Sequence, residues 1–97
     1  MRHEIKCWPQ YFGRLVDGSK TFEIRDNDRG YQLGDEALIR EWDPTEAEKH
    51  EECGPFFDYW MEPKGYTGRS ILCKIGFVLP IDDKRVVWSV VDPVEQI

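Results

Sequence analysis

The most constraining feature of the sequence is a long run of alternating side chains at residues 69–80, "RSILCKIGFVLP". Every second residue of this run is apolar: Ile71, Cys73, Ile75, Phe77 and Leu79. A period of two places all of them on one face of a β-strand, and Gly76 is typical of a bulge or bend. A second strand is predicted in "KRVVWSVVD", residues 84–92, where both faces are apolar and a central place in a sheet is expected.

The first half of the chain predicts one helix and three more strands. These strands are predicted at residues 3–8, 21–25 and 36–42. Between the first two, Pro9 suits the first turn of a helix and Gly18 suits a left-handed C-terminal cap. The helix should cover the sheet with one apolar stripe, formed by Tyr11, Phe12, Leu15 and Val16. In the strand at 21–25, Phe22 and Ile24 alternate with Glu23 and predict a half-buried strand.

The order β-α-β-β-(insertion)-β-β predicts one α+β domain over residues 1–97. Five strands with a single early helix suggest a small, curved, partly closed mixed β-barrel, with the helix over one end. The insertion, at about residues 43–64, is acidic: from Asp43 to Pro63 seven acids stand against Lys49 alone. The net charge of −6 therefore argues against non-specific nucleic-acid binding over the whole surface, but it leaves room for a local basic face.

The cysteines and histidines give no pattern typical of a metal site. Cys7, Cys53 and Cys73 form no C-x-x-C pair, and neither His3 nor His50 adds a close second ligand. We predict no disulfide framework, no metal and no cofactor. No run of roughly 18 apolar residues and no apolar leader is present, which predicts a cytoplasmic protein that does not engage a membrane.

Residues 18–25, "GSKTFEIR", resemble the G-x-K-x-x-E-x-R signature of ASCH domains, which belong to the PUA-like superfamily of small β-barrels. The runs "KTFEIRDNDRGYQLGDEALIREWDP" and "YTGRSILCKIGFVL" are similar to a bacterial and phage branch described as RNA-binding-protein-like. In that branch "REWDP" leads to a "YTGR" hairpin after only a few residues, so the insertion departs from the pattern. The resemblance implies a PUA-like barrel that binds RNA or a modified nucleoside.

Some ASCH domains are amidohydrolases that remove the acyl group from 4-acetylcytidine. They use a lysine at the G-x-K position and a threonine three residues later. Lys20 matches the lysine, but Glu23 stands where the threonine is expected. An amidohydrolase with Lys20 as general base and Glu23 orienting a water is thus the weaker alternative, and whether the chain is an enzyme stays open.

The predicted ligand site centres on the strand at 21–25. Lys20, Glu23 and Arg25 should share one mouth, where Arg25 and Arg29 grip a phosphate and Glu23 accepts from a base amine. Three rings are predicted to stack on bases. The full predicted set is Lys20, Glu23, Arg25, Arg29, Tyr31, Arg40, Trp42 and Tyr66.

Two other interpretations remain open on the sequence. Lys20, Glu23 and Arg25 could form an ion-pair cluster that fixes the strand to its neighbours, joined by Arg40 and Glu41. Alternatively, the acidic insertion could dock a protein partner, such as the basic groove of a nucleic-acid enzyme. Its aromatic residues would then pack beneath the insertion or form an exposed patch: Phe56, Phe57 and Trp60.

Overall fold

The computed structural model describes residues 1–45 and 65–96. Its elements, in chain order, are β1 (Arg2–Cys7), α1 (Pro9–Val16), β2 (Phe22–Asp26), β3 (Glu36–Trp42), β4 (Tyr66–Pro80) and β5 (Arg85–Gln96). Most of the acidic insertion lies outside the described residues. The predictions about its aromatic rings and its docking role concern those residues. Within the described residues, no helix is long and apolar enough to cross a bilayer.

The five strands form one mixed sheet in the order β1-β3-β4-β5-β2, curved into a half-barrel. β1 and β3 run parallel, whereas the other three neighbouring pairs are antiparallel. The predicted α+β class, five strands and one early helix are confirmed. β5 lies between β4 and β2, in the interior position predicted from its two apolar faces. Among the described residues the edge strands are therefore β1 and β2, which come from the first half of the sequence.

The core lies on the concave face of the sheet, where alternate residues of the strands meet α1. Its members are Ile5, Cys7, Phe12, Leu15, Tyr31, Ala37, Ile39, Ile71, Cys73, Ile75, Val86 and Trp88. The predicted helix stripe is only half right, because Phe12 and Leu15 are buried while Tyr11 and Val16 are exposed. A two-turn helix that packs against β3 and β5 buries only one narrow side.

A bulge in β4 corrects the expectation that its apolar residues share one face. Ile75 pairs with Val90, but the next registered pair is Val78 with Trp88, so Gly76 and Phe77 together oppose Ser89. The extra residue reverses the alternation. Phe77 and Leu79 therefore point to solvent, 65% and 50% exposed. The bend predicted at Gly76 is confirmed, and it is the cause of this reversal.

We expect Gly76→Ala to destabilise the fold by about 1–3 kcal/mol. A Cβ atom at this position would lie 2.2 Å from Ser89 Oγ and 2.8 Å from Val91 Cγ2. Gly13→Ala is the matched control: it lies inside α1 with nothing within 4 Å of its added Cβ, and it should stabilise by about 0.5–1 kcal/mol. Urea unfolding of both variants measures the difference, and equal stabilities would contradict this account of the bulge.

Several element boundaries differ from the predictions. Trp8 is the N-cap of α1 rather than the end of β1. The "YTGR" stretch is the beginning of β4 and not a hairpin of its own. β5 continues past its predicted end to Gln96, because Asp92 takes φ 49° beside a register shift that carries the strand across Pro93.

The predicted turn at Gly34 and Asp35, directly before β3, forms hydrogen bonds with both β1 and β4. Gly34 has φ 92°, and the peptide groups of Gly34 and Asp35 exchange hydrogen bonds with Ile75 in β4. The Asp35 carboxylate lies 2.8 Å from Nε2 of the buried His3 in β1. This hydrogen bond holds the pKa of Asp35 below its usual value.

We expect Asp35→Asn to be less stable than the native chain at neutral pH, with a difference that shrinks in acid. Because the pKa of Asp35 is lowered by folding, its contribution is complete above the unfolded value of about 3.9 and is lost as pH falls through the folded value. Melting temperatures of both proteins between pH 7 and pH 2 provide the test. A difference that stays constant below pH 4 would contradict the role given to the carboxylate.

Candidate functional site

Strand β2 buries its charged face and exposes its apolar one. Glu23 is 2% exposed, whereas Phe22 and Ile24 are 44% and 49% exposed. The predicted alternation is confirmed, and the buried face is the charged one. The reason is register: Glu23 pairs with Trp88 of β5, whose side chain fills the core, so the odd residues of β2 turn inward.

Two cations neutralise the buried Glu23 carboxylate. Lys20 Nζ donates to Oε1 at 2.8 Å, and Arg25 Nε donates to Oε2 at 3.0 Å. A buried carboxylate is tolerated only when it is paired in this way. The side chains of Lys20 and Arg25 are 20% and 24% exposed, so the cluster lies where the core meets solvent.

The turn after α1 places Lys20 on this cluster. Gly18 takes φ 82°, as predicted for a left-handed cap, and the Lys20 amide donates to the Arg14 carbonyl at 3.0 Å. Asp17 closes the turn by accepting from the Ser19 amide at 2.8 Å, and bonding to Ser19 lowers the pKa of Asp17. The sequence G-x-K-x-x-E thus folds back so that the lysine reaches a glutamate three residues later.

A cleft of about 510 Å³ opens above the cluster, between α1, the end of β1 and β2. Lys20, Glu23 and Arg25 line it together with three half-exposed aromatic rings: Trp8, Tyr11 and Phe22. Lys20 Nζ lies 5.3 Å from the centroid of the Tyr11 ring and 5.9 Å from that of Phe22. The charged cluster is therefore the floor of a concave, aromatic-rimmed site rather than a flat ladder on a strand.

The thiol in the cleft wall is not a nucleophile at neutral pH. Burial raises the pKa of Cys7 to about 11, and the nearby Glu23 carboxylate adds to the rise. Cys73 is shifted to about 11 for the same two reasons. Both thiols stay protonated at pH 7. Residues 1–45 and 65–96 contain no group of three histidine, cysteine or acidic side chains that could hold a metal ion.

Arg25 and Arg29 also bridge the gap between the two edge strands. Arg25 Nη2 donates to the Lys6 carbonyl at 3.1 Å, and Arg29 Nη1 donates to the Glu4 carbonyl. Both acceptors belong to the edge of β1. Arg29 lines a separate cavity of about 180 Å³ and not the main cleft. Arg25 therefore lines the cleft and also bridges β2 to β1, whereas Arg29 bridges to β1 without lining the cleft.

The remaining predicted ligand residues lie elsewhere. Tyr31 is buried, with its ring centroid 4.7 Å from His3 and 5.5 Å from Trp88, so the structure places it in the core rather than on a stacking surface. Arg40 lies 3.9 Å from the centroid of the Tyr66 ring, and both residues line a third cavity of about 350 Å³. Trp42 contacts Lys6, whose Nζ lies 4.4 Å from the centroid of the Trp42 ring. Lys6 also lines the cleft.

The ion-pair interpretation of the charges is partly right. Lys20, Glu23 and Arg25 do form a cluster, but Arg40 pairs with Glu4 at 2.7 Å instead of joining it. Glu41, which is buried, accepts a hydrogen bond from Thr67 Oγ1 at 2.7 Å. The ion-pair cluster therefore consists of three of the eight residues predicted to bind a ligand.

Sequence reasoning missed the aromatic rim of the cleft. The sequence predicts Trp8 at a strand end, Tyr11 in the core stripe and Phe22 in a half-buried strand. The available signal was position: all three rings lie within fifteen residues of one another, just before and inside the G-x-K-x-x-E-x-R motif.

Comparison with known proteins connects this arrangement to a family. Residues 2–90 match the model of a family described as "Domain of unknown function (DUF3850)". The chain belongs to this family. The match includes every element that builds the cleft, β1, α1 and β2, and extends through the first half of β5.

One relative of this DUF3850 domain comes from a phage. The chain is 40% identical over 40 residues to an Escherichia phage P2 protein named "Uncharacterized 12.9 kDa protein in GpA 3'region". The matched stretch covers 41% of this chain and 37% of the phage protein. The chain therefore matches little more than a third of that relative's length.

Proposed function

We propose that this DUF3850 domain binds RNA or a modified nucleoside, with one base held in the cleft between α1 and β2. The observation that carries the proposal is the buried Lys20–Glu23–Arg25 cluster on the floor of a cleft whose rim is aromatic. A structural ion cluster alone does not require large exposed rings around it. A site for a flat, polar heterocycle uses both, because rings stack on its faces while charged groups bind its polar edge.

The chemistry of the cleft suits a nucleotide. Its volume falls within the range of about 300–1,000 Å³ that is usual for small-ligand sites. Rings such as Trp8 and Tyr11 can stack on a base, which contributes roughly 1–3 kcal/mol per base in single-strand binding. Among the described residues, three cations line the cleft, Lys6, Lys20 and Arg25, against the single carboxylate of Glu23. The site is therefore locally positive in a chain of net charge −6 and would attract a phosphate.

The resemblance to ASCH domains supports the same function. Its signature residues Lys20, Glu23 and Arg25 are the three that meet in the cleft. The half-barrel with one helix is consistent with a PUA-like domain, in which the acidic insertion would be an addition to the compact form. The proposed ligand-binding residues are thus Lys20, Glu23 and Arg25 from the predicted set, together with the aromatic rim that the sequence did not predict.

The test is a titration of the full chain with labelled single-stranded RNA decamers and with unmodified and modified nucleosides, followed by fluorescence anisotropy or tryptophan emission. We expect saturable binding that weakens with salt. For two phosphate contacts, raising the salt from 50 to 200 mM should reduce the RNA affinity about sevenfold. A complete lack of binding at 50 mM salt, to RNA and to nucleosides alike, would refute the proposal.

A weaker second candidate is an amidohydrolase acting on an acylated nucleoside. It is favoured by the 2.8 Å contact between Lys20 and Glu23 inside the cleft. However, a lysine in an ion pair is an ammonium group with no lone pair to act as a base, and the expected threonine is replaced by Glu23. Incubation with 4-acetylcytidine decides the matter: cytidine that forms with the native chain but not with Lys20→Ala would establish this activity, and no cytidine would exclude it.

A further inference from the structure

The peptide groups of β2 alternate between its neighbour β5 and the open side of the strand. The Thr21 carbonyl accepts from the Val90 amide at 2.9 Å, and the Asn27 amide donates to the Lys84 carbonyl at 2.7 Å. These two bonds lie at the ends of the β2–β5 ladder and show that the odd residues face β5. In an antiparallel pair the residues in between point their N–H and C=O groups the other way. The peptide groups of Phe22 and Ile24 therefore face away from β5.

Only a short part of this outward edge is accessible. Within the described residues β2 pairs with β5 alone, so no strand of that part of the chain covers the edge. Towards Asp26, the side chains of Arg25 and Arg29 cross the gap to the carbonyls of β1. Towards the other end, Phe22 and Ile24 line the cleft itself. The accessible edge is thus about three residues long and lies at the wall of the cleft.

A three-residue edge is too short for strand addition, in which an extended peptide forms a series of main-chain hydrogen bonds. It matches one heterocycle instead. The N–H and C=O of a single strand residue point in the same direction and present one donor beside one acceptor. The Watson–Crick edge of a nucleobase carries an adjacent acceptor and donor in the complementary arrangement.

We propose that the Ile24 peptide group reads the Watson–Crick edge of the bound base, through its N–H as donor and its C=O as acceptor. The inference deepens the proposed function, on which it rests, by naming the ligand class: a base whose ring nitrogen on that edge is unsubstituted. The rings at the rim then hold the faces of the base, and the cationic floor draws the phosphate. A base methylated on that ring nitrogen would be rejected, because the methyl group collides with the strand edge.

The test uses the four ribonucleoside 5′-monophosphates and the corresponding ring-methylated compounds 1-methyl-AMP, 3-methyl-CMP, 3-methyl-UMP and 1-methyl-GMP. With the native chain, we expect the best-bound nucleotide to lose at least tenfold in affinity when it is methylated. An unchanged affinity of the methylated compound would overturn the inference while leaving the proposed function intact. If none of the eight compounds and no RNA binds the native chain, the proposed function fails as well.

A pair of variants tests the protein side. Ile24→Pro removes the outward N–H, and proline is tolerated in edge strands where the missing N–H faces away from the ladder. Ile24→Ala keeps the N–H and measures how much the side chain contributes to nucleotide affinity. We expect proline to weaken binding of the unmethylated nucleotide at least fivefold more than alanine, and to remove the preference over the methylated compound. Equal effects of the two variants would overturn the inference, and if Ile24→Pro does not fold, the methylated compounds on the native chain decide it.

Discussion

Glu23→Ala is expected to lower the free energy of unfolding by about 3 kcal/mol, at the lower end of the range for breaking a buried ion pair. The buried carboxylate binds Lys20 and Arg25 at 2.8 and 3.0 Å, and its removal leaves two cations facing each other at the edge of the core. The lower end applies because water reaches both cations. For a domain of this size the melting temperature should fall by roughly 12–24 °C, as measured by circular dichroism.

An exposed acid provides the matched control for Glu23. Glu36 also pairs with an arginine, Arg2, at 3.5 Å, but both side chains are about half exposed. Glu36→Ala should therefore cost less than about 1 kcal/mol. A Glu23→Ala protein that is no less stable than Glu36→Ala would contradict the placement of Glu23 in the core.

A fully apolar replacement separates the structural role of the cluster from ligand binding. Exchanging all members of a buried ion cluster for apolar residues of similar size is often neutral or stabilising. We expect the triple variant Lys20→Met/Glu23→Leu/Arg25→Met to be more stable than Glu23→Ala and yet to lose affinity for RNA and nucleosides. If it kept full affinity, the three charges would be a scaffold only.

Trp8→Ala is expected to weaken binding of single-stranded RNA by roughly 5- to 150-fold, the equivalent of about 1–3 kcal/mol for one lost stacking ring. The stability of the fold should change little. Trp8 is 48% exposed, and its side chain makes no capping hydrogen bond to α1. Titration of labelled decamers, with the melting temperature measured in parallel, gives both quantities.

Two further variants make this prediction specific to the aromatic rim. Trp8→Phe keeps a ring and should retain most of the affinity. Leu33→Ala alters a more exposed apolar residue in the turn before β3, outside the cleft, and should bind RNA as the native chain does. The role of the rim would be contradicted if Trp8→Ala bound as tightly as Leu33→Ala.

The sequence predicted the elements of this fold better than it predicted which faces they bury. Periodicity and turn residues depend on local sterics, so Pro9, Gly18 and Gly34 marked the helix and the turns correctly. The inward face of a strand depends on its register with neighbours far along the chain. Glu23 faces inward because it lies opposite Trp88, 65 residues later, and no local pattern contains that pairing.

The candidate site was predicted in part for the same reason. Lys20, Glu23 and Arg25 lie within six residues, so the motif alone brought them together. The choice among more distant residues required the sheet order: Tyr31 turned inward to His3 and Trp88, while Arg40 and Tyr66 met on a different surface. The aromatic rim depends on where α1 crosses the half-barrel, which is a tertiary property.

The most direct test of the central claim is an NMR titration of the uniformly ¹⁵N-labelled full chain with the four ribonucleoside 5′-monophosphates at up to millimolar concentration. We predict saturable shifts of the backbone amides of residues 20–25 and of the Trp8 indole N–H, with the largest effects around Glu23. Saturable shifts confined to the Arg40 and Tyr66 surface, or no saturable shift with any of the four nucleotides, would contradict the claim that the cleft between α1 and β2 is a base-binding site.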